Sequence, residues 1–237
     1  LAATLYQKTE GAVTVLCVNT LGVLDIVEAG ETINDITDLA GRTIYSAGRG
    51  STPQYALEYL LRENGIDPET DVTIQWASEH AECLAALQAD PSIVCMLPQP
   101  FATSALAKVE GARIALDLTE VWDETVAANG GDSQLITGVA VARSAFASPA
   151  AVEELLDAYA ASVDFVNDDP SAAAQLIEAA DIVTAQVAER AIPYCNIVCM
   201  TGAEMAGALT GYLQTLYDAD PASVGGAMPG DDFCYGA

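Results

Sequence analysis

Three short stretches carry the residue types that could do chemistry: SAGRGST at 46–52, ASEH at 77–80 and LPQP at 97–100. Each follows an apolar, strand-like run and precedes a helical one. The first offers Ser46, the Ser51 and Thr52 hydroxyls, and two glycines, Gly48 and Gly50, that allow close backbone approach to a ligand. Thr52 is the expected N-cap of the next helix and Pro53 its first residue. Free amides at such a helix start cradle a carboxylate, sulfonate, phosphate or carbonyl. In the second stretch Ser78 is the expected cap, Glu79 suits the helix's positive end, and His80 faces solvent or a ligand. Gln99 is the polar side chain of the third.

Catalysis finds little equipment here. GRGST lacks the central-serine spacing of a nucleophile elbow, and no phosphate-binding G-x-x-x-x-G-K-[ST] motif occurs. His80 is the only histidine, so it alone would serve as an imidazole base. Glu79, His80 and Glu82 imitate an acid–base site, but a capped helix start accounts for them more simply. Six cysteines without a C-x-x-C pair argue against a metal centre, and no cofactor is expected. Cys17 and Cys95 sit in apolar runs and read as small buried hydrophobes. Cys195 and Cys199 come within pairing reach only if their segment is helical or curved, because an extended strand holds them too far apart.

The elements that must position these loops follow from the pattern. Of 237 residues about half are apolar, no run approaches a membrane span, and the length allows one large domain or two small ones. A net charge of −26, with eight Lys and Arg in all, leaves no basic stripe for phosphates and excludes nucleic-acid binding. Such a surface favours a soluble monomer.

AVTVLCVNT and VLDIV are strand-like. RTIYS, DVTIQW and SIVCML then alternate with helical segments, the first over 53–64 with Ala56, Leu57, Leu60 and Leu61 at helical spacing. Three strand-loop-helix units in a row predict a parallel α/β sheet, whose ligands sit at the carboxyl ends of the strands. ARIALDL is a further strand, 119–134 suits a crossing segment, and QLITGVAVAR is another strand before a helical remainder. Asn19 and Thr20, polar residues closing AVTVLCVNT, are expected at a strand's carboxyl end near the ligand. The opening LAATLYQKT reads as the interior of an amphipathic helix with Leu1, Leu5 and Tyr6 on one side, so a preceding segment is expected.

DLAGRTIYSAGRGSTPQYALEYLLRENGIDPETDV resembles the GSTPEYAL-containing stretch of bacterial ABC-transporter substrate-binding proteins, the group that binds nitrate, taurine, alkanesulfonates and thiamine-precursor pyrimidines. SEHAE, MLPQPFAT, ALDLTEVW, AIPYCNI and GGAMPGDDF extend the resemblance over nearly the whole chain. It implies an α/β, two-lobed type II periplasmic-binding-protein fold with a solute held between hinged lobes. Lobe one would be 1–35 and 129–237, lacking its opening elements and leaving the strand of Cys17 without a neighbour; lobe two would be 36–128.

The ligand set expected from the three loops and from the close of AVTVLCVNT is Ser46, Gly48, Gly50, Ser51, Thr52, Ser78, Glu79, His80, Gln99, Asn19 and Thr20. The implied partners are a nitrogen- or sulfur-containing organic ion or heterocycle and the subunits of an ABC permease. The implied place is outside the cytoplasmic membrane, on a lipid anchor. An enzyme on the same fold and a ligand-sensing module for a signalling partner are the alternatives. The cysteine-rich motif of the related eukaryotic pyrimidine synthases is missing, which weighs against the first.

Overall fold

The computed structural model describes residues 1–146 and 148–236. Its strands are β1 (Val13–Leu21), β2 (Leu24–Ala29), β3 (Thr43–Ala47), β4 (Thr73–Ala77), β5 (Val94–Pro98), β6 (Ala112–Asp117), β7 (Ile136–Arg143) and β8 (Ile197–Met200). Its helices are α1 (Ala2–Lys8), α2 (Thr52–Glu63), α3 (His80–Ala89), α4 (Phe101–Lys108), α5 (Leu118–Ala128), α6 (Pro149–Asp168), α7 (Pro170–Ala179), α8 (Ala185–Ala191) and α9 (Gly202–Ala219). The chain divides into two units, Val23–Asp132 and Leu1–Gly22 with Ser133–Ala237.

The unit of residues 23–132 is built on a five-stranded sheet in the order β4-β3-β5-β2-β6. β3 runs parallel to β4 and β5, while β2 runs antiparallel to β5 and β6. β5 sits at the centre, and its unbroken apolar run is buried, as a strand covered on both faces requires. Cys83, Leu84 and Leu87 of α3 and Ala102 and Ala105 of α4 form a core with Cys95 and Leu97 of β5.

Two expectations change in this unit. β2, drawn with the other lobe, pairs with β5 and β6, so the boundaries fall at 22/23 and 132/133 rather than at 35/36 and 128/129. The supposed crossing segment after residue 118 is mostly α5. Leu118, Trp122 and Val126 recur every fourth residue on its buried side, and the Trp122 ring meets that of Tyr59 on α2 at 4.8 Å. Asp117 accepts the Thr119 amide at 2.8 Å and caps the helix.

The other unit holds a three-stranded antiparallel sheet, β7-β1-β8. The strand of Cys17 was expected to lack a neighbour; β1 is instead the central strand, paired on both sides, with Val15, Cys17 and Val18 buried. The amphipathic reading of the opening also changes. Ala3 is the buried residue of α1, Leu1 and Leu5 are exposed, and the Tyr6 ring packs edge-on against Phe233. The segment after Cys195 is the extended strand β8, and no disulfide joins the cysteines of the described residues.

Candidate functional site

Because β3, β4 and β5 run in one direction, the loops that follow them emerge at one sheet edge. β6, antiparallel to β2 as β5 is, also ends there, and β2 enters there. Helices α2, α3, α4 and α5 therefore all begin at this edge and bring their partly positive ends to it.

In the first loop Ser51, not Thr52, is the N-cap of α2: Ser51 keeps an extended backbone, and Pro53 is the second helical residue. The Ser51 hydroxyl turns away from the helix and donates to the Gly48 carbonyl at 2.7 Å, so no side chain caps the helix start. The Gln54 side chain folds back instead and accepts the Gly50 amide at 2.7 Å. Gly48 and Gly50 have φ of +86° and +77°, the region that side chains disfavour. A Cβ on Gly48 would meet Pro53 at 2.8 Å, whereas nothing lies within 4 Å of one on Gly50. Ser46 is fully buried, its hydroxyl donating to the Ala47 carbonyl.

The second loop also shifts by one residue, with Glu79 rather than Ser78 as N-cap of α3. Glu82 reaches back to accept the Ser78 amide at 3.0 Å, which leaves the exposed Ser78 and Glu79 side chains free of the helix. His80, expected to face solvent or a ligand, is half-buried, with its ring 5.8 Å from that of Phe101 on α4. Its Nδ1 is buried without a hydrogen-bond partner, and burial pulls its basicity below the ordinary histidine range.

The third loop carries the most connected group. Gln99, only 8 % exposed, donates from Nε2 to Oδ2 of Asp25 at 2.9 Å. Its Oε1 accepts the Thr103 hydroxyl at 2.8 Å and the Thr103 amide at 3.2 Å. The peptide between Gln99 and Pro100 is cis. Asp25 stands opposite Asp117 in the β2–β6 register. Burial first, then the Asp117 charge, pushes the Asp25 carboxyl up to about 7, against the pull of the Gln99 amide. Burial and the same Asp117 charge also raise Asp123. Neither Asp25 nor Asp117 is among the site residues expected from the sequence. The available signal was an aspartate inside the apolar run VLDIV, a position that must find a partner or resist ionisation.

In the other unit, Asn19 and Thr20 are adjacent near the end of β1, and the Thr20 hydroxyl donates to Asn19 Oδ1 at 3.1 Å. Asn19 also hydrogen-bonds Tyr159 of α6. A hollow of about 520 Å³ in that unit runs along α9 and the segment 228–234 and is lined by neither residue. One of about 370 Å³ in the unit of residues 23–132 includes Asp117, Glu120 and Glu124. Among the described residues no group of three His, Cys, Asp or Glu side chains could hold a metal ion. Among them, too, no helix is long and apolar enough to cross a membrane.

The NMT1-like family matches residues 8–182 of the chain. The crystal structure of an ABC transporter from Parabacteroides distasonis is similar with a TM-score of 0.76 and 25 % identity, covering 98 % of this chain and 77 % of that one. The alkanesulfonate-binding protein from Xanthomonas axonopodis pv. citri, bound to MOPS, is similar with a TM-score of 0.68 and 15 % identity, covering 96 % of this chain and 74 % of that one. The desulfurization enzyme DSZB is similar with a TM-score of 0.59 and 17 % identity, covering 92 % of this chain and 76 % of that one. A comparison with curated protein sequences gives no match. The mixed α/β architecture is thus that of periplasmic-binding-protein-like structures, as the sequence resemblance implied.

Proposed function

The chain belongs to the NMT1-like family, and from that premise we propose that it is an extracytoplasmic receptor that captures a small polar solute and delivers it to an ABC import permease. The observation that carries the reading is the shared edge where the loops after β3, β4 and β5 emerge beside four helix starts. An acceptor-bearing group suits the start of α2, which no side chain caps. An amine or ring N–H suits the exposed Glu79 carboxylate. The solute is therefore a nitrogen- or sulfur-containing organic ion or heterocycle, and the MOPS-bound relative makes a sulfonate the first probe. Gly48, Gly50, Ser51, Thr52, Ser78, Glu79, His80 and Gln99 are the proposed contacts on this edge. Ser46 supports them from the core, and Asn19 and Thr20 are proposed contacts at the polar exit of β1. We place the protein outside the cytoplasmic membrane on a lipid anchor, as a monomer.

Native mass spectrometry of the full-length protein tests this reading by identifying a co-purified solute. Thermal denaturation with that solute, or with MOPS and short alkanesulfonates, then measures the stabilisation that binding to the native state alone produces. A rise that saturates with concentration is expected; no co-purified molecule and no shift with any of these compounds would overturn it. An enzyme on the same fold is favoured by the Asp25 carboxyl, which burial and the Asp117 charge push up to about 7. Conversion of the bound solute on incubation would decide for that alternative.

A further inference from the structure

Cys17 and Cys199 lie on the adjacent strands β1 and β8 of the unit that holds Asn19. β1 and β8 are antiparallel neighbours, with Val18 opposite Met200. Cys17 and Cys199 flank that pair diagonally, so both side chains leave the sheet on the same face. The two thiols are in hydrogen-bonding contact, and Tyr159 of α6 lies beside both while bonding Asn19. Cys17 is buried, whereas Cys199 is partly exposed. The other cysteines of this unit are placed differently: Cys195 precedes β8, and Cys234 pairs with Val15.

We propose that Cys17 and Cys199 form a disulfide that locks β1 to β8 when the protein meets a disulfide oxidant. The chemistry begins at the accessible sulfur. The Cys199 thiolate attacks a small-molecule disulfide, forming a mixed disulfide and releasing one thiol. The Cys17 thiolate then attacks the Cys199 sulfur, forming the internal bond and expelling the second thiol. The two electrons end on the oxidant, and the two thiol protons go to its departing sulfurs. Burial holds Cys17 up at about 11 and raises Cys199, so both remain protonated near neutrality and the exchange quickens as pH rises. The bond would close a loop spanning most of the chain, which is where restriction of the unfolded state is greatest.

The test is to incubate the full chain with oxidised glutathione at mildly alkaline pH, alkylate the remaining thiols, digest it and map the peptides. The expected product joins the Cys17 peptide to the Cys199 peptide with loss of two hydrogens. It should melt about 5–10 °C above the reduced protein. Cys199→Ser should lose both the cross-link and the oxidant-dependent rise. Two alkylated thiols, a persistent glutathione adduct on Cys199, or a bond from Cys199 to Cys195 or Cys234 would each overturn the proposal. The peptide map of the unsubstituted chain decides this even if the variant fails to fold.

Discussion

Gln99 ties the loop after β5 to the entry of β2, its Nε2 donating to Asp25 Oδ2 at 2.9 Å and its backbone amide to the Val23 carbonyl at 3.0 Å. The first bond favours an ionised Asp25, while burial and the opposed Asp117 disfavour it more strongly. A carboxyl that ionises near 4 when unfolded and near 7 when folded makes the native state the better proton binder between those values. Its contribution is complete below about pH 4 and is lost as pH rises through about 7. Asp25→Asn keeps an acceptor for Gln99 without the charge. At pH 8 it should be more stable than the parent by about 2–4 kcal/mol, and at pH 4 nearly equal to it. Urea denaturation at several pH values measures the gap; a gap that does not change with pH would refute the assignment.

The opposite case lies on the same strand. Glu28 is buried, which alone would raise its pKa, but donors from Thr32, Ile33 and Arg113 together bring it below the ordinary glutamate range. Arg113 Nη2 lies 2.6 Å from Glu28 Oε1, and its Nε donates to the Gly30 carbonyl at 2.8 Å. Arg113→Met removes the partner and leaves a buried carboxylate, so a loss of about 3 kcal/mol is expected at pH 7. Because the charge is the cause, Arg113→Met combined with Glu28→Gln should recover part of that loss. No recovery in the double variant would assign the damage to packing.

The glycine loop separates backbone strain from ligand contact. Gly48→Ala places a Cβ 2.8 Å from Pro53 in a positive-φ position and should cost about 3 kcal/mol. Gly50→Ala meets only the unfavourable φ, for about 1 kcal/mol. Gly50→Val, a natural choice for blocking the loop, therefore also lowers the melting temperature without solute. With the alanine variant, solute-dependent stabilisation should fall while the fold survives. Full retention of that stabilisation would remove Gly50 from the binding edge.

The strands and helices that build this edge were largely legible because their signals are local. Apolar runs gave β3, β4 and β5, and Ala56, Leu57, Leu60 and Leu61 gave α2. What failed depended on partners distant in sequence. β2 looks like any apolar strand, and only its pairing with β5 and β6 assigns it to the unit of residues 23–132. α5 was hidden by its polar face, since its buried Leu118, Trp122 and Val126 stand among acidic residues. Both helix caps slipped by one residue, because Ser51 spends its hydroxyl on Gly48 and Glu82 reaches back to Ser78. Asp25 acquires its properties first from burial in the folded sheet, then from Asp117 and Gln99, neither of which is near it in the chain.

Gly138 decides how Asn19 and Thr20 are held. It faces Thr20 in the β1–β7 register, and a Cβ there would collide with Asn19 Oδ1 and lie 2.8 Å from Thr20 Oγ1. A glycine inside a strand marks such a close approach, and here the side chains of the neighbouring strand lie over it. Gly138→Ala must push those side chains aside, at a cost of about 1–3 kcal/mol. The nearest obstacle is the Asn19 amide, so Asn19→Ala in the same chain should relieve part of the clash. The double-variant cycle is then expected to show a favourable coupling of about 1 kcal/mol, measured by chemical denaturation. Strictly additive costs would mean that Asn19 does not rest on Gly138.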